Sequence, residues 1–502
     1  MIKKRRVLIN ALAAAVQVVV SGLAFFVLYR FLYDTLGAAD IGIWGTVLTT
    51  TSVSHLANLG LSGSTLIFVS KYVAQERPEQ VDRVVQTAVV SIAVFMGLVL
   101  LVAYPLLARL VPWIINDPDG LPLALAVLPF ALVSFWFVSV ANVLLSAVEG
   151  FERVDLRNLL TIASTLLYLV LAFMLVPEHG LVGLAYAQVA QAVLLCTAAW
   201  VLLKRLFAPL PPLPFRWTRA TFSEMLSYNV QFQAMSVLQM LFDPTARALM
   251  ARLGGLEAAG FFEMAHKMVL QLRSLIITAQ QAVLPTIANL NETAPELIQD
   301  IYKKSFRLVL FLVLPSLPLL IALMPVVSVL YLGEYQPTFV LFANLLLAGW
   351  FLNILSVPAY LSYLGTGALR WNLAGHLVSG VLNAALGALL GWQYGGTGVV
   401  TGFVIALLAG NLVTAAVYQR THAIRLVDVF ERDSFQLGAV SLIGLFCAWA
   451  FYHLTGVQWN PVGAGFAMLA IYFVLIAGPL WAHSMRERLL FWISHVLLTR
   501  QP

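Results

Sequence analysis

Charge is what this chain has least of. Only 10% of its 502 residues are Asp, Glu, Lys or Arg, against 61% hydrophobic, where a soluble domain is about one quarter charged. Every polar connection is short, so no soluble domain fits anywhere in the chain. Cysteine is almost missing: Cys196 and Cys447 are the only two, both within apolar runs. Free, buried thiols are expected, and a disulfide framework is excluded. No G-x-x-x-x-G-K-[ST] occurs, which excludes ATP hydrolysis by a P-loop. No H-E-x-x-H and no cysteine cluster occur, so neither a metal nor a cofactor is expected. Asp117-Pro-Asp119, between Asn116 and Gly120, has the composition of a tight turn rather than a metal site. Membrane glycosyltransferases, ligases and polymerases need catalytic groups on a sizeable loop; none exists, so an enzyme is not expected. His55, His376 and His453 are scattered and read as structural.

What the chain has instead is a succession of apolar runs of about 20 residues, the length that crosses a bilayer as a helix. Mean hydropathy is +0.89. The spacing predicts an all-α polytopic membrane protein of about 14 helices: 7–33, 41–74, 84–112, 122–149, 157–177, 180–204, 222–251, 257–290, 303–331, 337–365, 371–392, 396–420, 435–456 and 460–483. Lys3-Lys4-Arg5-Arg6 and the following apolar stretch resemble a signal peptide, but the stretch is too long, and a retained first span is expected. Pro285, Pro315, Pro318 and Pro325 predict kinks in the eighth and ninth helices. The basic residues alternate in sidedness. Of 29 Lys and Arg, 23 lie at the two ends or in every second connection (residues 3–6, 71–83, 153–157, 204–219, 303–307, 370, 420–432 and 486–500). Arg30, Arg109 and Arg252 are the only ones near helix ends on the other side. The positive-inside rule then puts both termini in the cytoplasm. The net charge of +6 is therefore a topology signal and not a nucleic-acid signal.

Two halves of the chain resemble each other. Gly37 and Gly42 match Gly254 and Gly260 at offsets of 217 and 218; Gly150 and Arg153 match Gly367 and Arg370 at 217; Gly183 matches Gly398 at 215. Two six-helix repeats in parallel orientation follow, a transporter plan that puts a site between lobes. The expected division is an N-terminal lobe over 1–206, a cytoplasmic linker over 207–221 stiffened by Pro209, Pro211, Pro212 and Pro214, a C-terminal lobe over 222–420, and two extra helices with a tail over 421–502.

The scarce charges are concentrated. Asp243, Arg247, Glu263, Lys267 and Arg273 lie in the hairpin of the seventh and eighth helices. Asp243 with Lys267, and Arg247 with Glu263, share the mean position 255, so each pair meets at equal depth in an antiparallel hairpin. At 1.5 Å per residue these pairs lie roughly 18 Å and 12 Å from the turn, where a charge must be paired or hydrated. They read either as a lock between two helices or as direct contacts to a substrate or coupling ion. No acidic residue mirrors Arg273 across the hairpin, which makes it the sharper candidate for a substrate contact. Polar residues follow helical spacing nearby: Asn229, Gln233 and Ser236 on the seventh helix; Gln271, Ser274, Thr278 and Gln281 on the eighth; Asn10, Gln17, Ser21 and Arg30 on the first; Thr46, Thr50, Ser54 and Asn58 on the second. They predict a hydrated cavity rather than packing through small residues alone.

Several segments carry a family resemblance: LGAADIGIW (36–44), LANLGLSGSTLIFVSKYVAQ (56–75), EGFERVDLRN (149–158), HGLVGLAYAQ (179–188) and, above all, the stretch 243–290 from DPTARALM to TIANL. Together they resemble polysaccharide-transport flippases of the multidrug/oligosaccharidyl-lipid/polysaccharide exporter superfamily. The resemblance implies a V-shaped pair of lobes in the bacterial cytoplasmic membrane, opening alternately to each side. It implies an undecaprenyl-pyrophosphate-type glycolipid, moved from the cytoplasmic to the outer leaflet for lipopolysaccharide or exopolysaccharide assembly. Membrane lipids, a polysaccharide polymerase and chain-length proteins are the implied partners, and the implied working unit is a monomer. A cationic cavity is implied too, with Arg273, Arg30, Arg247 and Lys267 as cations, Asn229, Gln233 and Asn58 as amides, and Asp243 and Glu263 as a charge network or ion-coupling pair. The cations outnumber the carboxylates by two, which favours an anion over the cationic drug of an antiporter. The lipid II flippase branch resembles the chain more loosely: Arg30 is followed by Phe31, with Asp34 a turn later. The driving force is an ion gradient, the membrane potential or consumption of the product.

Overall fold

The computed structural model describes residues 2–52, 61–281, 283–455 and 461–486; for 2–12, 50–52, 227–241, 452–455, 461–462 and a few isolated positions the backbone alone is described. Asn58, His55 and Ser54 lie outside the described residues, as do the side chains of Asn10, Thr50, Asn229, Gln233, Ser236, Thr278, Gln281 and His453.

The chain is all helix among the described residues: α1 (Ile2–Ser52), α2 (Leu61–Ala74), α3 (Pro78–Ile114), α4 (Gly120–Gly150), α5 (Val154–Leu206), α6 (Arg219–Leu249), α7 (Leu256–Gln281), α8 (Leu284–Thr293), α9 (Ile298–Leu332), α10 (Pro337–Ile354), α11 (Val357–Thr366), α12 (Arg370–Thr421), α13 (Leu426–Val429), α14 (Arg432–Thr455) and α15 (Pro461–Ala482). Nine of these are long and apolar enough to cross a membrane among the described residues. Each of the fourteen expected stretches has a helical counterpart: α5 and α12 each contain two of them, and α1 contains the first and the start of the second, whose end is α2. α1, α5 and α12 run through single residues of non-helical backbone at Gly37, Gly180 and Gly395. No loop separates the paired stretches there; one glycine suffices where a longer connection is expected from the sequence.

The breaks repeat. Gly37 (φ 83, ψ 174) has the backbone of Gly255 (φ 85, ψ 167). Gly180 (φ 57, ψ −139) has that of Gly395 (φ 59, ψ −141). Only glycine enters these regions without a Cβ clash. The first match corrects the register read from sequence: Gly37 corresponds to Gly255 rather than Gly254, at the same offset of 218 that relates Gly42 to Gly260. The close approaches repeat as well. A Cβ on Gly183 would overlap the Leu175 carbonyl oxygen, and a Cβ on Gly398 would overlap that of Leu390. A π-helical turn, Met250–Gly254, ends α6 before Gly255.

Two expected continuous helices are broken. The eighth stretch is interrupted at Val283 and restarts at Leu284 with Pro285 in its first turn; the tenth stops at Ile354 and restarts at Val357 with Pro358 in its first turn. Proline removes a backbone donor and clashes with the preceding turn, so each marks a restart. In α9 the helix absorbs Pro315, Pro318 and Pro325 without a break. Asp117 accepts the Gly120 N–H at 2.9 Å, so the acidic motif is the turn that starts α4.

The chain forms two compact units: residues Met1–Met264 with Ala384–Val399, and residues Ala265–Asn383 with Val400–Pro502. In the first, α4 and α5 pack along each other, with α1, α2 and α3 around them. Its core is built from fully buried aliphatic side chains such as Val47, Val85, Ile92 and Val143. In the second, α9 is central, against α10, α14 and α15, and α11 lies on α8 and α9. Its core is aromatic, with Tyr302, Phe306, Tyr363 and Tyr418 together. Large apolar side chains also point outward, Trp113 at 75% and Trp392 at 81% exposure, as they do on a surface that faces lipid. Cys196 and Cys447 are free and half-buried.

Candidate functional site

Among the described site residues, Arg247 and Glu263 meet in the first unit, and Arg273 is held in the second. In the first unit, α6 and α7 descend from the π-turn and Gly255, and this hairpin brings Arg247 and Glu263 to one level. Arg247 Nε lies 2.8 Å from Glu263 Oε2, the pairing that equal depth predicts. Glu263 is 2% exposed. Tyr29, on α1, donates its hydroxyl to Glu263 Oε1 at 3.4 Å. The carboxylate reaches this position because Gly45 has no side chain: a Cβ there would lie 3.2 Å from Glu263 Cγ. The space enclosed by Gly42, Gly45, Thr46, Arg247, Met250 and Phe262 has no room for a water molecule. A dry, enclosed ion pair gains little over two apolar side chains, but one charge without the other is costly. In the conformation observed the pair joins α6 to α7. Asp243 is half-buried one helical turn before Arg247. Arg30 Nε pairs with Asp34 Oδ2 at 2.8 Å, with a third of the arginine side chain exposed.

In the second unit, Arg273 is gripped by two residues of α10. Its Nη2 and Nε donate to Asn353 Oδ1 at 2.7 and 3.2 Å. Its guanidinium carbon lies 4.5 Å from the centroid of the Trp350 ring. Trp350 and Asn353 are three apart on one helix and so share a face. The Trp350 ring also stacks with buried His266 at 6.0 Å. Asn353 sits where α10 ends, and its carbonyl accepts both the Ser356 N–H at 3.0 Å and the Ser356 hydroxyl at 2.7 Å. Ser356 in turn contacts Asn411 at 3.2 Å. The break before Pro358 thus produces a polar junction inside an apolar unit. Arg273 and Lys267, six residues earlier on α7, are both half-buried.

Tyr29, Gly45, Trp350 and Asn353 escape a reading of the sequence. Only Asn353 leaves a trace there, a lone amide in the apolar run GWFLNIL. His376 faces Tyr360, with ring centroids 6.0 Å apart, as a packing histidine does. Among the described residues no three His, Cys, Asp or Glu gather as metal ligands would.

The fold is shared with solved transporters. A lipid II flippase MurJ in an inward closed conformation superposes with a TM-score of 0.75 at 14% identity, over 96% of this chain and 100% of that one. An inward-facing multidrug resistance MATE transporter of the MOP superfamily gives 0.71 at 15% identity, over 80% of this chain and 95% of that one. A Vibrio cholerae MATE transporter in its bent form gives 0.58 at 15% identity, over 83% of this chain and 96% of that one. At these identities the likeness is one of fold. No curated protein matches the sequence significantly. The sequence profile described as "Polysaccharide biosynthesis protein", however, matches residues 31–339, more than half the chain, and the chain belongs to that family.

Proposed function

We propose that the protein is a flippase for a lipid-linked oligosaccharide, moving its (pyro)phosphate and sugars across a bacterial cytoplasmic membrane by alternating access, with both termini in the cytoplasm. The single observation that carries this reading is the grip on Arg273. An amide oxygen and an indole ring orient the guanidinium. A guanidinium fixed in this way matches the forked geometry of a phosphate and needs no metal. Family membership supplies the polysaccharide context. The fold supplies a scaffold found in a flippase and in exporters. The lipid tail stays in the bilayer while a polar groove shields phosphate and sugars from hydrocarbon. Glu263 suits a cation antiporter poorly, because it is buried against Arg247 in a space without water.

The test is glycan export in cells whose own copy is deleted. Arg273→Ala is expected to abolish export at unchanged protein level, and Arg273→Lys to restore it only in part. Undiminished export in Arg273→Ala would remove the guanidinium from the mechanism.

A further inference from the structure

The segment that joins α5 to α6 is bound down along α3, and it carries a cleft that the transport reading does not use. Residues 207–218 contain no helix, and Thr218 is extended at φ −125 and ψ 116. Gln86 of α3, 1% exposed, holds both sides of the junction. Its Oε1 accepts the N–H groups of Phe215 and Arg216 at 3.3 and 3.1 Å, and its Nε2 donates to both Asp82 oxygens at 2.8 Å. Trp217 donates its indole N–H to Ser91 at 2.9 Å, and Trp200 donates to the Pro212 carbonyl at 3.0 Å.

Apolar residues of this segment point outward: Leu213, Phe215 and Trp217 are 58%, 78% and 48% exposed, with Arg216 exposed between the last two. The segment also has a defined depth. Ser91 lies nine residues beyond Asp82, about 13 Å along the helix axis, inside the apolar part of the spanning helix α3. That placement suits an indole at the hydrocarbon boundary with its N–H satisfied, and the charged first two turns of α3 suit the level of the polar headgroups. There Pro78, Glu79, Asp82, Arg83, Pro209 and Arg216 line a cleft of about 390 Å³, within the size range of small-molecule sites. Its walls present two carboxylates and two guanidinium groups.

We infer that this cleft holds the phosphoethanolamine headgroup of a membrane phospholipid whose acyl chains lie against Leu213, Phe215 and Trp217. The Glu79 and Asp82 carboxylates accept the N–H donors of the primary ammonium. Arg216 and Arg83 face the phosphate. Arg83 and Glu79 pair with each other only loosely, at 3.9 Å and with both side chains exposed, so both stay open to a zwitterion: a purely anionic headgroup meets the two carboxylates, and a choline group has no N–H to donate to them. The bound lipid ties the linker to one leaflet.

The test is native mass spectrometry of the full-length protein titrated with phosphatidylethanolamine, phosphatidylcholine and phosphatidylglycerol of identical acyl chains. Wild type is expected to retain phosphatidylethanolamine about fivefold better than either of the others, the effect of a few partly exposed charge contacts. Glu79→Gln with Asp82→Asn removes the preference over phosphatidylcholine, and Arg216→Ala lowers retention of all three. Glu79 and Arg216 are exposed, so Glu79→Gln and Arg216→Ala test the idea without disturbing the core. Equal retention of phosphatidylethanolamine and phosphatidylcholine by wild type would overturn the inference. So would a preference for phosphatidylglycerol, or a phosphatidylethanolamine preference unchanged in Glu79→Gln with Asp82→Asn.

Discussion

Gly42 of α1 and Gly260 of α7 lie backbone to backbone. A Cβ on Gly42 would overlap the Leu256 carbonyl oxygen and come 2.9 Å from the Gly260 nitrogen, and a Cβ on Gly260 would overlap the Ala38 carbonyl oxygen. Ala38 and Leu256 are themselves 218 residues apart, as are the two glycines, so the contact is the same from either side. Each glycine packs on the residue equivalent to the one beneath its partner.

Substituting either glycine must push the two helices apart. Gly260→Ala is expected to destabilise the protein by about 1–3 kcal/mol, the range for overpacking. Gly463→Ala and Gly478→Ala on α15, where an added Cβ meets nothing within 4 Å, serve as controls and should not destabilise it. Thermal unfolding in detergent compares the three directly; equal midpoints would mean that the helices separate at no cost.

The Arg247–Glu263 pair is enclosed, so its two members are not independent. Glu263→Ala alone leaves a buried guanidinium and is expected to cost about 3–5 kcal/mol, whereas Arg247→Ala with Glu263→Ala costs less. If the pair is a lock, the double variant recovers folding and glycan export together. Recovery of folding without export would instead assign Glu263 a part in ion coupling.

If Arg273 holds the substrate phosphate as proposed, Asn353 and Trp350 act on the substrate through Arg273. Asn353→Ala removes a charge-assisted hydrogen bond and is expected to weaken apparent affinity for the lipid-linked glycan about tenfold. Trp350→Leu should do so as well, while both variants keep wild-type protein levels. Transport in vesicles at graded substrate density separates this from a lower maximal rate, which a purely structural defect would produce.

A pH dependence is built into the end of α15. His483 is 1% exposed and lies just beyond the last spanning residue, Ala482. Its Nδ1 accepts the Met485 N–H at 3.2 Å, which leaves Nε2–H to donate to the Ser434 hydroxyl at 3.2 Å. Burial holds its pKa below the ordinary histidine value, against the opposing pull of Asp433 and Glu431. Arg307, 2.7 Å from Glu431, offsets part of that pull. The neutral ring is thus favoured in the fold. Its contribution to stability is complete above the unfolded pKa of about 6.5 and is lost as pH falls toward the lower folded value. The melting temperature should drop between about pH 7.5 and about pH 5.5 by less in His483→Gln than in wild type. An equal drop in both would locate the acid sensitivity elsewhere.

The membrane class, the helical stretches and the internal repeat are legible in the order of the residues alone. Each rests on a property that every residue reports independently of its neighbours in space. Hydropathy depends on side-chain type, helix period on the backbone, and repeat offset on the spacing of glycines such as Gly42 and Gly260. The level of Arg247 against Glu263 was legible for the same reason, since rise per residue sets depth within a hairpin. Tertiary structure decided what depends on rotation and on distant segments. That Gly37, Gly180 and Gly395 each replace a loop is a matter of backbone angles, to which composition is silent. That Gly255 and not Gly254 repeats Gly37 needed φ and ψ. That Arg273 rests on Trp350 and Asn353 needed the packing of α10 against α7, which no periodicity within either helix encodes.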